Sequence, residues 1–134
     1  MLRLTRAVWH EMIAHAQAEY PKEACGMVAG TQGVGSRVFR MRNVDQSPIS
    51  YTMDPTEQLR VMKDMRAAGL EMQAIYHSHT ATEAYPSPTD VRLATYPDTT
   101  YVLLSLKERT RPIVQGYRIA AGAITPEVLV EESS

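Results

Sequence analysis

Apolar residues recur at helical spacing near the start of the chain. Trp9, Met12, Ile13 and Ala16 fall at i, i+3, i+4 and i+7, one stripe of an amphipathic helix predicted over 6–19. Thr5 supplies its N-cap, Pro21 closes it, and residues 2–4 ahead of it read as a short edge strand. His10 and His15 fall on the polar side of this helix. The period then changes. Residues 25–29 form an apolar run of strand type, Gly30 and 31–36 a glycine-rich hairpin loop, and 37–43 an alternating second strand. Gly33 and Gly35 are turn glycines, because no helix follows to hold a phosphate. A polar loop over 43–50 and a short strand over 51–53 precede Asp54-Pro55-Thr56-Glu57, a helix start with Asp at the N-cap and Pro at N1. That helix runs to Gly69, with Leu59, Met62, Met65 and Arg66 as its partly apolar face; the methionines read as core.

Residues 72–79 form the central strand, 80–86 a loop, and Ser87-Pro88-Thr89-Asp90 opens a short helix to about Tyr96. Strands follow over 101–106 and 113–119 around a charged turn at 107–112. From Gly122 the pattern is a weak final strand, and 131–134 reads as frayed. The order α, β, β, α, β, α, β, β predicts an α/β fold, one mixed sheet flanked by helices.

Composition narrows the picture little. The 134 residues suit one domain, 1–134, with ordinary shares of hydrophobic (44%) and charged (22%) residues. A net charge of −1 without a run of Lys or Arg argues against a nucleic-acid or anionic-membrane surface. No apolar run is long enough to span a bilayer, and no signal-peptide pattern opens the chain. Cys25 is the one cysteine, which excludes an internal disulfide framework and a cysteine-rich zinc site. A cytoplasmic location is the expectation.

The chemistry gathers at 75–90. His77 and His79 face the same side of an extended strand, roughly 6.7 Å apart at Cα. Two imidazoles so placed can converge on one ion, and an Asp from the helix start would add a third ligand. That leaves one tetrahedral position for water, as in catalytic zinc sites. A carboxylate at a helix N-terminus is also favoured in its ionised, metal-binding form. Each piece has a plainer account. Ser87 to Asp90 is a capping box, a His-x-His can be structural, Glu23 resembles any loop carboxylate, and Glu83 competes as a ligand.

Taken together, Glu23, then His77-Ser78-His79, seven residues, and Ser87-Pro88-Thr89-Asp90 resemble the motif of the JAMM (MPN+) metallopeptidases. No motif position departs from it, and similar flanks extend the resemblance over nearly the whole chain. Within the family the chain is most similar to compact bacterial peptidases acting on ubiquitin-like sulfur-carrier proteins, a type that removes cysteine from the carrier's C-terminus. The resemblance implies a cytidine-deaminase-like layout and one Zn²⁺ held by His77, His79 and Asp90. It also implies Glu23 as general base and then acid, and Ser87 as a hydrogen-bond donor to the oxyanion. The implied partner is a carrier of the CysO, ThiS or MoaD kind with a C-terminal Gly-Gly, its tail bordered by 43–53 and 80–86. Cys25 is expected to be a buried structural thiol.

Other classes fit less well. A cupin metal site would use His77, His79 and Glu83, but it needs a later His and an all-β barrel. A zinc deaminase needs a cysteine pair. A non-catalytic MPN scaffold usually lacks the ligands present here. A JAMM peptidase trimming another carrier, or an isopeptidase, keeps the chemistry and changes the substrate.

Overall fold

The computed structural model describes residues 1–132. Its elements are β1 (Leu2–Thr5), α1 (Arg6–Glu19), β2 (Cys25–Thr31), β3 (Val34–Met41), α2 (Pro55–Ala67), β4 (Glu71–His79), α3 (Pro88–Leu93), β5 (Thr100–Ser105), β6 (Ile113–Ala120), β7 (Ala123–Glu127) and β8 (Leu129–Glu132). The strands form one mixed sheet in the order β7-β6-β5-β4-β2-β3-β1-β8. β4 lies at its centre, antiparallel to β2 and parallel to β5.

Alternation along β4 divides the interior into two layers. Ala74 and Tyr76 face α1, with Leu4, Val8, Met12, Val28, Val102 and Leu104. Ile75 faces the other way, toward Met27, Met41, Met53, Val61 and Met65, where α2 and α3 pack. The methionines are core, as their spacing predicts. The sheet therefore lies between helices, the α/β arrangement expected from the sequence.

Several local expectations need correction. β1 is not an edge strand; it lies between β3 and β8, parallel to both. The loop expected over 31–36 shrinks to Gln32-Gly33, both at positive φ (54° and 76°), because a tight turn matching the strand twist lets Thr31 pair with Val34. Leu59 is exposed, since the stripe of α2 that meets the sheet is Val61 and Met65 at i, i+4. Residues 51–53 form only a bridge, Asn43 to Met53. α3 stops at Leu93 because the Thr95 and Tyr96 amides donate to the Tyr101 hydroxyl instead of continuing the helix. Glu131 and Glu132 pair with Leu4 and Thr5 in β8, contrary to the frayed expectation; Ser133 and Ser134 lie outside the described residues.

His15 is the largest misplacement. It is buried, with Nδ1 2.6 Å from the Tyr76 hydroxyl. The buried stripe of α1 is Val8, Met12, His15 and Ala16, at i, i+4, i+7 and i+8, so a stripe begun at Trp9 misses it. Opposite Tyr76 stands Gly26, where a Cβ would come within 2.4 Å of the tyrosine ring. Only glycine leaves room for that ring.

Candidate metal centre

β4 carries His77 and His79 to the C-terminal end of the sheet's centre, both buried and on the α3 side. The chain returns through 80–86 to α3. Its start is a complete capping box: the Ser87 hydroxyl accepts the Asp90 amide at 3.1 Å, and Asp90 Oδ2 accepts the Ser87 amide at 2.9 Å. The cap and the metal-ligand readings of Asp90 are therefore compatible. The box orients the carboxylate, and the same Oδ2 lies 3.2 Å from His77 Nε2 and 3.0 Å from His79 Nε2. The two Nε2 atoms are 3.3 Å apart.

Those separations test the site for a cation. Ligands about 2.0–2.1 Å from a tetrahedral ion lie about 3.3–3.4 Å from one another, close to what is found. Among the described residues, His77, His79 and Asp90 form a group of donor atoms mutually within 4.8 Å. Protonation supports the same reading. His79 Nδ1 is 2.8 Å from the Glu83 carbonyl, which can only accept, so Nδ1 carries the proton and Nε2 presents its lone pair inward. Glu83 thus enters through its backbone, and its carboxylate points elsewhere, toward Lys107 at 3.9 Å. His77 Nδ1 has no hydrogen-bond partner among the described residues; its ring is held by stacking on Tyr51, with centroids 4.4 Å apart.

The charges respond to this crowding. Burial alone would raise the Asp90 carboxyl, but the bonds from His77, His79 and the Ser87 amide outweigh it and hold it far below the carboxylate range. Burial presses His77 below its ordinary value. For His79, burial acts in the same direction, yet the bonds to Asp90 and to the Glu83 carbonyl carry it upward.

Glu23 sits beside this group, 5% exposed. Burial pushes its carboxyl up to about 8; His79 pulls it down, while Asp90 and Asp45 push it further up. A carboxyl poised near neutrality is suited to exchanging protons. Its position depends on a residue that the sequence reading names as a motif position without a role. Ser78, between the histidines but on the opposite face, accepts the Ala24 amide at 2.8 Å, and its own amide donates to the Ala24 carbonyl at 3.0 Å. Asn43 is a second such residue. Its buried amide donates to the Glu23 and Ser50 carbonyls and accepts the Asp45 and Thr52 amides, so one side chain shapes the 43–53 loop. The Thr80 hydroxyl ties that loop to β4 through the Pro48 carbonyl at 2.9 Å. The only sequence signals were a hydroxyl between two histidines and an Asn at a strand's end. Cys25 is buried, and burial raises its thiol to about 12, which makes it a poor nucleophile.

Comparison with known proteins agrees with this geometry. Residues 5–117 match the family described as prokaryotic homologs of the JAB domain. The chain is 49% identical over 118 residues to the CysO-cysteine peptidase of Mycobacterium tuberculosis, covering 87% of this chain and 81% of that protein. It is 40% identical over 95 residues to a probable TtuB-protein conjugate cleaving protease of Thermus thermophilus, covering 70% and 64%. A solution structure from Desulfitobacterium hafniense superposes with a TM-score of 0.92 at 38% identity, over 100% of this chain and 94% of that one. With its His-x-His strand, capped Asp and buried Glu, this chain belongs to the JAB, or JAMM/MPN, family in its prokaryotic branch.

Proposed function

We propose that this chain is a zinc-dependent peptidase. It hydrolyses the peptide bond that follows the C-terminal Gly-Gly of a ubiquitin-like sulfur-carrier protein and releases cysteine, a step of cysteine biosynthesis in the cytoplasm. The carrying observation is the convergence of His77 Nε2, His79 Nε2 and Asp90 Oδ2 at 3.0–3.3 Å beside a buried Glu23. The substrate class is supported by 49% identity to a protein named for cleaving CysO-cysteine.

Two neutral imidazoles, His77 and His79, and the Asp90 carboxylate are a donor set that would hold Zn²⁺. The chemistry supplied by such an ion is Lewis-acid activation of water and of a carbonyl oxygen. The protein does the rest. Glu23 takes a proton from the attacking water and delivers it to the leaving amine nitrogen, so the C–N bond breaks without expelling an amide anion. The Ser87 hydroxyl uses a lone pair to cap α3, and its hydrogen remains free to donate to the oxyanion. The 43–53 and 80–86 loops, joined by Thr80 and Pro48, border the channel for an extended glycine tail.

The test is the intact mass of a sulfur-carrier protein ending in Gly-Gly-Cys after incubation with the zinc-loaded enzyme, with chelated and Glu23→Gln samples alongside. Loss of one cysteine that depends on metal and on Glu23 is expected. An unchanged carrier from zinc-loaded protein overturns this substrate. The 40% identity to a conjugate-cleaving protease then makes a carrier joined through lysine the next substrate. An unchanged carrier from protein that binds no metal would favour a scaffold.

A further inference from the structure

The released side of the scissile bond needs a recognition site of its own. Beside the metal centre a cavity of about 410 Å³ is lined by His79, Ser87, Thr82, Tyr85, Glu83 and Lys107. Lys107 is its one lysine or arginine and comes from the turn after β5; the 80–86 loop borders both this cavity and the glycine channel, whereas the 43–53 loop contributes no residue to the cavity lining.

That turn is stitched to the metal ligand. The Leu106 amide donates to the His79 carbonyl at 2.9 Å. The Ser105 hydroxyl donates to the Thr82 carbonyl at 2.6 Å and accepts the Lys107 amide at 3.2 Å. The root of Lys107 is thereby fixed relative to His79, while its ammonium stays solvent-accessible. Its present counter-ion is the Glu83 carboxylate, 80% exposed and 3.9 Å away. A contact that long and that open is easily replaced by an incoming carboxylate.

We propose that Lys107 binds the free α-carboxylate of the residue being released. The inference rests on the peptidase reading and narrows it to an exopeptidase that removes one C-terminal residue. The same bond is disfavoured when that carboxylate is amidated or buried in a longer chain. An ammonium meeting a carboxylate is the strong, charge-assisted case of hydrogen bonding, and the amide loses the charge while keeping the shape. Arg111 comes from the same turn and lines the adjoining cavity of about 470 Å³, which Lys107 also borders and which lacks the metal ligands. It serves as a control for the general field of the turn.

The experiment compares kcat/KM of the zinc-loaded enzyme on one carrier ending in Gly-Gly-Cys as the free acid and as the C-terminal amide. The wild type should prefer the acid by about tenfold or more. Lys107→Gln should bring the ratio near one by slowing the acid alone, and Lys107→Arg should keep most of the preference. Arg111→Gln should leave the ratio within about threefold, as expected for a screened surface charge that does not line the cavity with His79 and Ser87. A wild-type ratio near one, or a Lys107→Gln variant that slows both substrates equally, overturns the assignment. Cleavage of neither substrate by the zinc-loaded wild type overturns the Gly-Gly-Cys carrier as substrate, and this inference with it.

Discussion

Two buried histidine clusters occupy opposite faces of β4, and they are built differently. On the α1 side, His15 and Tyr76 share one hydrogen bond of 2.6 Å, edge to face, with a glycine opposite to make room. Burial and the nearby Arg40 lower His15, so the pair stays neutral. On the α3 side, three donor atoms crowd one point, one imidazole is pushed down, its neighbour is raised, and His77 Nδ1 is left without a partner among the described residues. A structural histidine is a satisfied histidine. A ligand set concentrates lone pairs that cannot satisfy one another without a proton or a cation between them.

Substitutions on the two faces should act on different properties. Asp90→Ala should have the largest effect: zinc content measured by elemental analysis should fall from about one per chain to under about a tenth, with activity lost. Ser87→Ala should keep one zinc and lower kcat by about 10²–10³, since it removes the proposed oxyanion donor but no ligand. Metal content and steady-state rates measured together separate the two. Tyr76→Phe acts on the other face. It leaves His15 Nδ1 unpaired and should cost about 1–3 kcal/mol in denaturant unfolding, with zinc content unchanged.

Burial of Glu23 adds an effect that depends on pH. Glu23 holds its proton to about pH 8 in the folded chain and releases it near the ordinary carboxylate value when unfolded. Folding therefore binds a proton between those values, and the metal-free protein loses stability as pH rises from about 5 to 8. Glu23→Gln removes that dependence. In chelated samples its Tm should match the wild type near pH 5, exceed it increasingly up to pH 8, and gain nothing further above. Melts at four pH values check this.

The candidate metal site was legible because the residues that could hold an ion are local. Strand alternation places His77 and His79 on one face, and a capping box places Asp90 at a helix start. Both are short-range rules that survive in the folded chain. Glu23 could be placed only by resemblance, because its position comes from β2 pairing with β4 across 54 residues through Ser78 and Ala24. The Asn43 hub, the burial of His15 and the β1–β8 pairing were hidden for the same reason. Each is decided by a partner far along the chain, and a local pattern carries no record of it. Leu59 marks the opposite limit: an apolar residue at plausible helical spacing that simply faces solvent.

One connection gives the sheet an unusual closure. β7 ends at Glu127 on one edge, β8 begins at Leu129 on the other, and Val128 alone lies between them. Its carbonyl accepts the Leu2 amide, and the Leu129 side chain reaches Gly116 of β6. The two edges are thus clasped, and the strands form a ring in connectivity although the hydrogen-bond ladder has two ends. Neither edge can peel away without loosening the other. The clasp thereby braces a sheet whose centre, β4 paired with β5, carries the two histidines and leads into the turn of Lys107.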